Sequence, residues 1–137
     1  MPFNMDEEHF PASVLAKAHR SGNEYGWPLE AVEETIAAAQ TVGLVTIGGQ
    51  PQFCLPDGTC EMYWLNADAT PRRLGESRDD YVRRSAEEVV SRFRALVAKT
   101  DFAKEANGWG FLREKMEAGV NVTQYLRFIL YFDAGKS

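Results

Sequence analysis

The apolar positions of the chain change period along its length. From Pro28 to Val42 they recur at three and four, with Leu29, Val32, Ile36 and Ala39 on one stripe, the pattern of a helix with one buried face. Pro28 stands where a helix accepts its first residue, Glu30, Glu33 and Glu34 fall early, where the helix dipole favours carboxylates, and Gly43 closes the element. From Gly43 to Asn66 the chain carries its densest run of strand formers, GLVTIGGQPQFCLPDGTCEMYWLN. Leu44 to Ile47 predicts a strand, Gly48-Gly49 a tight hairpin turn, and Gln52 to Leu55 a second strand. Pro56-Asp57-Gly58 predicts a three-residue loop with Gly58 left-handed, and Thr59 to Leu65 the return strand. That register sets Leu55 opposite Thr59 and Cys54 opposite Cys60. Phe53, Leu55, Tyr63 and Leu65 then form the more apolar face, and Gln52, Met62 and Trp64 the other. Pro51 lacks an N–H and predicts a fray, a bulge or a wider turn.

Helical periods flank this platform. Pro11 opens a first helix with Val14, Leu15 and Ala18 on one face and Gly22 past its end, and residues 23–27 connect it to the next. After a loop at 68–75, Ser77-Arg78-Asp79-Asp80 reads as a capping box for a long helix to about Lys99, buried along Tyr81 or Val82, Ser85, Val89, Phe93, Leu96 and Val97. Asp101 caps a short helix that breaks at Asn107-Gly108, and residues 109–118 form another. Residues 125–132 alternate as a strand would, but the box Asn121 to Gln124 and the spacing of Val122, Leu126 and Ile129 favour a buried helix, which is the assignment adopted. The expected class is α+β: one domain over 1–137, a small antiparallel meander at about 44–65, and four to six helices, two before the strands and the rest after. The ends, 1–10 and 133–137, are expected to be flexible.

Composition changes this picture little, and charge changes it more. The 137 residues are 45% apolar and 26% charged, ordinary for a globular chain. The net charge of −5 is unevenly spread: residues 1–71 carry −8 and residues 72–99 carry +3. Such asymmetry concerns association rather than fold. The acidic start MPFNMDEEHF is unlike a signal peptide, and the uncharged run from Thr35 to Pro56 is broken by glycines and prolines, so a cytoplasmic protein off the membrane is expected. Cys54 and Cys60 are then reduced thiols, although their expected register would allow a bridge in an exported protein.

Candidate chemistry is sparse. His9 and His19 read as surface residues, and with two cysteines they lack the spacing of a zinc site, so no catalytic residue, metal or cofactor is assigned. Arg83, Arg84, Arg92 and Arg94 could hold an anion, but no glycine cradle accompanies them. A small enzyme is one alternative. A winged helix is another, because the helix from Pro28 leads through Gly43 into a hairpin; neither that helix nor its wing is basic, which points away from specific nucleic-acid binding. The adopted reading is a non-catalytic protein-binding module. Tyr25, Trp27, Trp64 and Trp109 lie outside the clear helix stripes, and aromatics anchor interfaces. In size and charge the chain resembles cytoplasmic immunity proteins, which neutralise a cognate bacterial toxin. That resemblance implies a basic protein partner met by Glu30, Glu33, Glu34, Asp57 and Glu61, with Tyr25 or Trp27 as anchor.

Overall fold

A computed structural model of the chain describes residues 10–21 and 23–134. The elements run α1 (Ala12–Leu15), β1 (His19–Ser21), β2 (Glu24–Trp27), a 3-10 turn (Leu29–Ala31), α2 (Val32–Thr41), β3 (Val45–Leu55), β4 (Gly58–Glu61), β5 (Ala67–Asp68), α3 (Arg78–Lys99), α4 (Phe102–Ala106), α5 (Gly110–Glu117), a second 3-10 turn (Val122–Tyr125) and β6 (Leu126–Asp133). The class is mixed α and β, as the periods predict. The six strands form one antiparallel sheet in the order β1-β2-β6-β3-β4, with β5 on the β4 side of β3. The sheet is therefore wider than a meander at 44–65, because both flanking stretches contribute strands.

Residues 126–133 form a strand and not the helix adopted from the capping box. Asn121 makes no side-chain cap. β6 lies between β2 and β3 and bonds to both, so its backbone groups are satisfied across the sheet. Leu126, Phe128, Leu130 and Phe132 enter the core on one face, and Ile129 is buried on the other. Apolar residues on both faces are what made its period ambiguous.

The first helix is a single turn, and His19–Ser21 pairs antiparallel with Glu24–Trp27 in place of a helix end and connector. Tyr25 and Trp27 both point to the core face; Gly26 between them leaves the other face bare, so the alternation is masked in the sequence. A Cβ on Gly26 would lie 2.7 Å from Ile129 Cδ1, so the glycine makes room for that side chain. Gly22, the expected helix stop, lies outside the described residues, as do 1–9 and 135–137 of the two expected loose ends. Phe10, by contrast, is buried, with its ring 5.4 Å from Phe132.

β3 runs unbroken through Gly48, Gly49 and Pro51, with no hairpin turn there. The pairing with β6 shifts between Thr46 and Gly48, a bulge that Gly48 accommodates at φ +152°. Gly49 serves close approach: a Cβ there would sit 2.1 Å from the Ile129 carbonyl oxygen. The Pro51 carbonyl accepts from Met62 N at 3.0 Å. In a strand a residue's N–H points the same way as its C=O, so the missing donor faces the gap between the short strands β4 and β5, where no ladder bond is lost.

The β3–β4 hairpin closes over Pro56-Asp57 alone, pairing Leu55 with Gly58, Cys54 with Thr59 and Phe53 with Cys60. This is one residue away from the expected register. Gly58 is not left-handed; it is small because the Phe111 ring lies 3.0 Å from where a Cβ would stand. The slip moves Cys54 and Cys60 to opposite faces of the sheet. Both are free and buried.

Two apolar clusters occupy the helix-covered face. One packs α1, α2 and α3 against Trp27, Phe128 and Phe132, with Val89 and Phe93 of α3 at its centre. The other sets Leu112, Ala106 and Val122 against Phe53, Leu55 and Cys60. Ser77 caps α3 by accepting from Asp80 N at 3.1 Å, as the capping box predicts.

Candidate functional site

The stretch from Met62 to Ser77 forms a strap that runs antiparallel along α3. Its pins descend the helix in order: Arg92 donates to the Asp68 carbonyl, Glu88 accepts from Thr70 N and Oγ1 at 2.7 and 3.0 Å, and Arg84 grips Glu76 with two bonds of 2.7 and 2.8 Å. Arg84 also donates to Thr70 Oγ1 and to the Pro71 carbonyl. Met62 and Ala67 are wholly buried and fix the strap's start. The Arg84 guanidinium, helped by the Arg73 N–H, holds the Glu76 carboxyl down to about 2.

Two turns interrupt the strap, and each presents apolar side chains outward. Leu65 N bonds Met62 O at 2.9 Å, setting Tyr63 and Trp64 at the corner of the first. Glu76 N bonds Arg73 O at 3.0 Å, and Gly75 takes φ +79°, a type II turn with Leu74 at its first corner. Tyr63 is 69% exposed, Trp64 48%, and Leu74 wholly so. These are three of the four large exposed hydrophobic residues among those described, the other being Val42. Trp64 stacks on Trp109 (6.0 Å between rings, 22° between planes), and Tyr63 meets it edge-on at 5.2 Å.

Beside Trp64 a cleft of about 600 Å³ opens between the strap, the end of α3 and α4. Arg92, Lys99 and Lys104 line it, together with Asp101 and Glu105. Its size lies within the range of ordinary ligand clefts, roughly 300–1,000 Å³.

The residues chosen from sequence lie elsewhere. Trp27 is 0% exposed and its indole N–H donates to Val14 O at 3.0 Å; Tyr25 is buried beside it. Neither can anchor a partner, because both are core residues of β2. Glu30 sits in the 3-10 turn before α2, Glu33 and Glu34 in the first turn of α2, and Asp57 and Glu61 on the β3–β4 hairpin. Glu33 pairs with Arg94 through bonds of 2.6 and 3.0 Å, Glu34 with Lys17 at 2.7 Å, and Asp57 with Lys115. These cations hold the Glu33 and Asp57 carboxyls below their ordinary values. Of these pairs Glu33–Arg94 joins the acidic stretch 1–71 to the basic stretch 72–99. Of the expected arginine patch, Arg83 pairs with Asp80, Arg84 with Glu76 and Arg94 with Glu33, which leaves little charge for an anion.

Glu61 belongs to a polar chain on the sheet's other face. Tyr131 donates to Glu24 Oε2 at 2.6 Å, and Gln50 Nε2 donates to both Tyr131 (2.7 Å) and Glu61 (2.9 Å). Burial and the adjacent Glu24 push the Tyr131 hydroxyl well above its ordinary value, so it keeps its proton. The arrangement ties four strands together and offers no base. Burial likewise raises both thiols, which disfavours a nucleophilic role. His19 lies on β1, and His9 lies outside the described residues. Among the described residues no His, Cys, Asp or Glu group gathers as a metal set, and no helix is long and apolar enough to cross a membrane.

Trp64 and Trp109 were legible as aromatics outside the helix stripes; Tyr63 and Leu74 were missed. The available signal was a leucine alone in a charged loop directly before a glycine, PRRLGES. Comparison with protein-family models, curated proteins and solved structures finds no match.

Proposed function

We propose that this chain is a non-catalytic, cytoplasmic protein-binding module that holds its partner with the strap at 62–77. The supporting observation is an ordered segment, anchored in the core by Met62 and Ala67, that holds Tyr63, Trp64 and Leu74 out of it. A bidentate Arg84–Glu76 pair and a Glu88–Thr70 clasp hold a turn whose corner is a fully exposed leucine. Leaving a leucine in water forgoes about 1.5–3 kcal/mol of burial, which a partner's surface would recover. Tyr63 and Trp64 add the residue types that dominate binding hot spots, already oriented by the stack on Trp109.

In its narrowest form the reading is an immunity-type protein with a basic toxin as partner. The small size and the net charge of −5 support it. On that reading Glu33, Glu34 and Asp57, held by Arg94, Lys17 and Lys115, act through the chain's overall field and speed encounter, while the strap makes the contacts. The winged-helix alternative has less in its favour, because β3 is an interior strand of the sheet and not one arm of a projecting wing.

The test is affinity capture from the source cell with the native chain and with Trp64→Ala and Leu74→Asp. Leu74→Asp should keep the native unfolding temperature, Trp64→Ala should lower it only by what its stack on Trp109 supplies, and both should lose the partner by about 30-fold or more, the effect of a hot spot near 2 kcal/mol. Equal retention of the same partner by all three proteins defeats the proposal.

A further inference from the structure

We infer that the cleft beside Trp64 seats an acidic segment of the partner, one in which carboxylates flank an aromatic or apolar side chain. This rests on the protein-binding reading and names the chemistry the site takes. Three cations and two carboxylates line the cleft, a net of +1 in a chain whose net charge is −5. Of the lysines described, Lys17 and Lys115 pair with Glu34 and Asp57, whereas Lys99 and Lys104 have no carboxylate partner among the described residues, and both line the cleft. Arg92 stands with them, donating to the Asp68 carbonyl and lying within electrostatic reach of the Asp68 carboxylate. Against these cations are Asp101 and Glu105. Asp101 is partly committed, since its Oδ1 accepts from Lys104 N at 3.1 Å as the cap of α4.

The apolar half of the recognition comes from Trp64. Its ring walls the cleft and is backed by Trp109, which does not line it. A bound side chain would stack on an indole that is already held in place, so little ordering cost remains. A basic segment would set like charges against Lys99, Lys104 and Arg92. The carboxylates suited to such a segment lie elsewhere: Glu30, in the 3-10 turn before α2, lines another groove, and Glu33 and Glu34 of α2 are in ion pairs.

The experiment is an amide and indole NMR titration of the full chain with the peptide acetyl-Glu-Asp-Phe-Glu-Asp-amide. The controls are acetyl-Lys-Arg-Phe-Lys-Arg-amide and inorganic phosphate. The acidic peptide should shift the Trp64 indole and the amides of Arg92, Lys99 and Lys104. Its affinity should fall by about tenfold in Lys99→Glu/Lys104→Glu, and fall again as salt screens the pair. Three results overturn the inference: no shift at the cleft up to about 5 mM peptide, equal shifts from the basic peptide, or the same shifts from phosphate alone. Failure here is separable from failure of the protein-binding reading. A captured partner that is lost with Leu74→Asp but retained with Lys99→Glu/Lys104→Glu removes the cleft and leaves the strap. A partner indifferent to both removes both.

Discussion

Tyr131→Phe deletes one oxygen and leaves the ring in place, so it isolates the polar chain that ties β2, β6, β3 and β4. Two bonds are lost, the 2.6 Å bond to Glu24 and the 2.7 Å bond from Gln50. The Gln50 amide keeps its 2.9 Å bond to Glu61, so no buried donor is wholly orphaned. The carboxylate of Glu24, half-exposed, exchanges a protein donor for water. A hydrogen bond to a charged group is worth about 1.5–3 kcal/mol, and access of water to one side reduces this to a loss of about 1–2 kcal/mol. For a chain of this length the unfolding entropy converts that to a fall of about 3–7 °C in Tm. The assay is paired thermal and urea unfolding, with Tyr63→Phe as control, since that hydroxyl is exposed and has no partner among the described residues. The control should stay within about 0.5 kcal/mol. A second readout is pH. The folded state raises the Tyr131 pKa, so its contribution is complete below the unfolded value of about 10 and is lost as pH rises beyond it. The Phe variant should lack this alkaline loss. If Tyr131→Phe is as harmless as the control, or loses stability in alkali as the native chain does, the network does not tie the sheet.

Acid should act through the strap and the Glu33–Arg94 pair: Glu76, Glu88 and Glu33 all have lowered pKa values, so the unfolded chain binds more protons and stability falls as pH drops from about 4.5 toward about 2. Glu76→Gln should flatten that slope in pH-dependent urea unfolding, and an unchanged slope removes the pin. Cys54 and Cys60 should titrate as two free thiols after unfolding without reductant, and should react with iodoacetamide far more slowly in the native state, because burial keeps both protonated. Recovery of a bridged species contradicts the observed register. Gly49→Ala should cost about 3 kcal/mol in urea unfolding, since the strands must part, whereas Gly43→Ala, strained at φ +81° but with open space around it, should cost about 1 kcal/mol. Equal costs count against the close approach of β3 and β6.

What the sequence revealed follows from which interactions are local. The stripe of α2 and the Ser77 cap of α3 depend on residues a turn apart, and both were legible. Strand β6 was not, because its neighbours come from residues 24–27 and 45–53 and both of its faces are apolar. The Gly48-Gly49 pair reads as a turn by local rules, yet it serves a bulge and a backbone contact with Ile129 that only the folded sheet creates. Gly58 misled in the same way, since the ring that needs it belongs to Phe111. For the site, the acidic residues were visible as charge, but Arg94, Lys17 and Lys115 reach them from distant segments. Exposure of Leu74 depends on the clasp between Arg84 and Glu76, two residues whose pairing no helical spacing announces.

Backbone hydrogen exchange, compared between the free chain and its complex with the captured partner, tests the strap most directly. The expected footprint is slowed exchange over residues 62–77 and along the cleft at 99–105, with α2 unchanged. Slowed exchange confined to α2 and the β3–β4 hairpin, with 62–77 exchanging as in the free chain, would return the interface to the acidic residues and contradict the account.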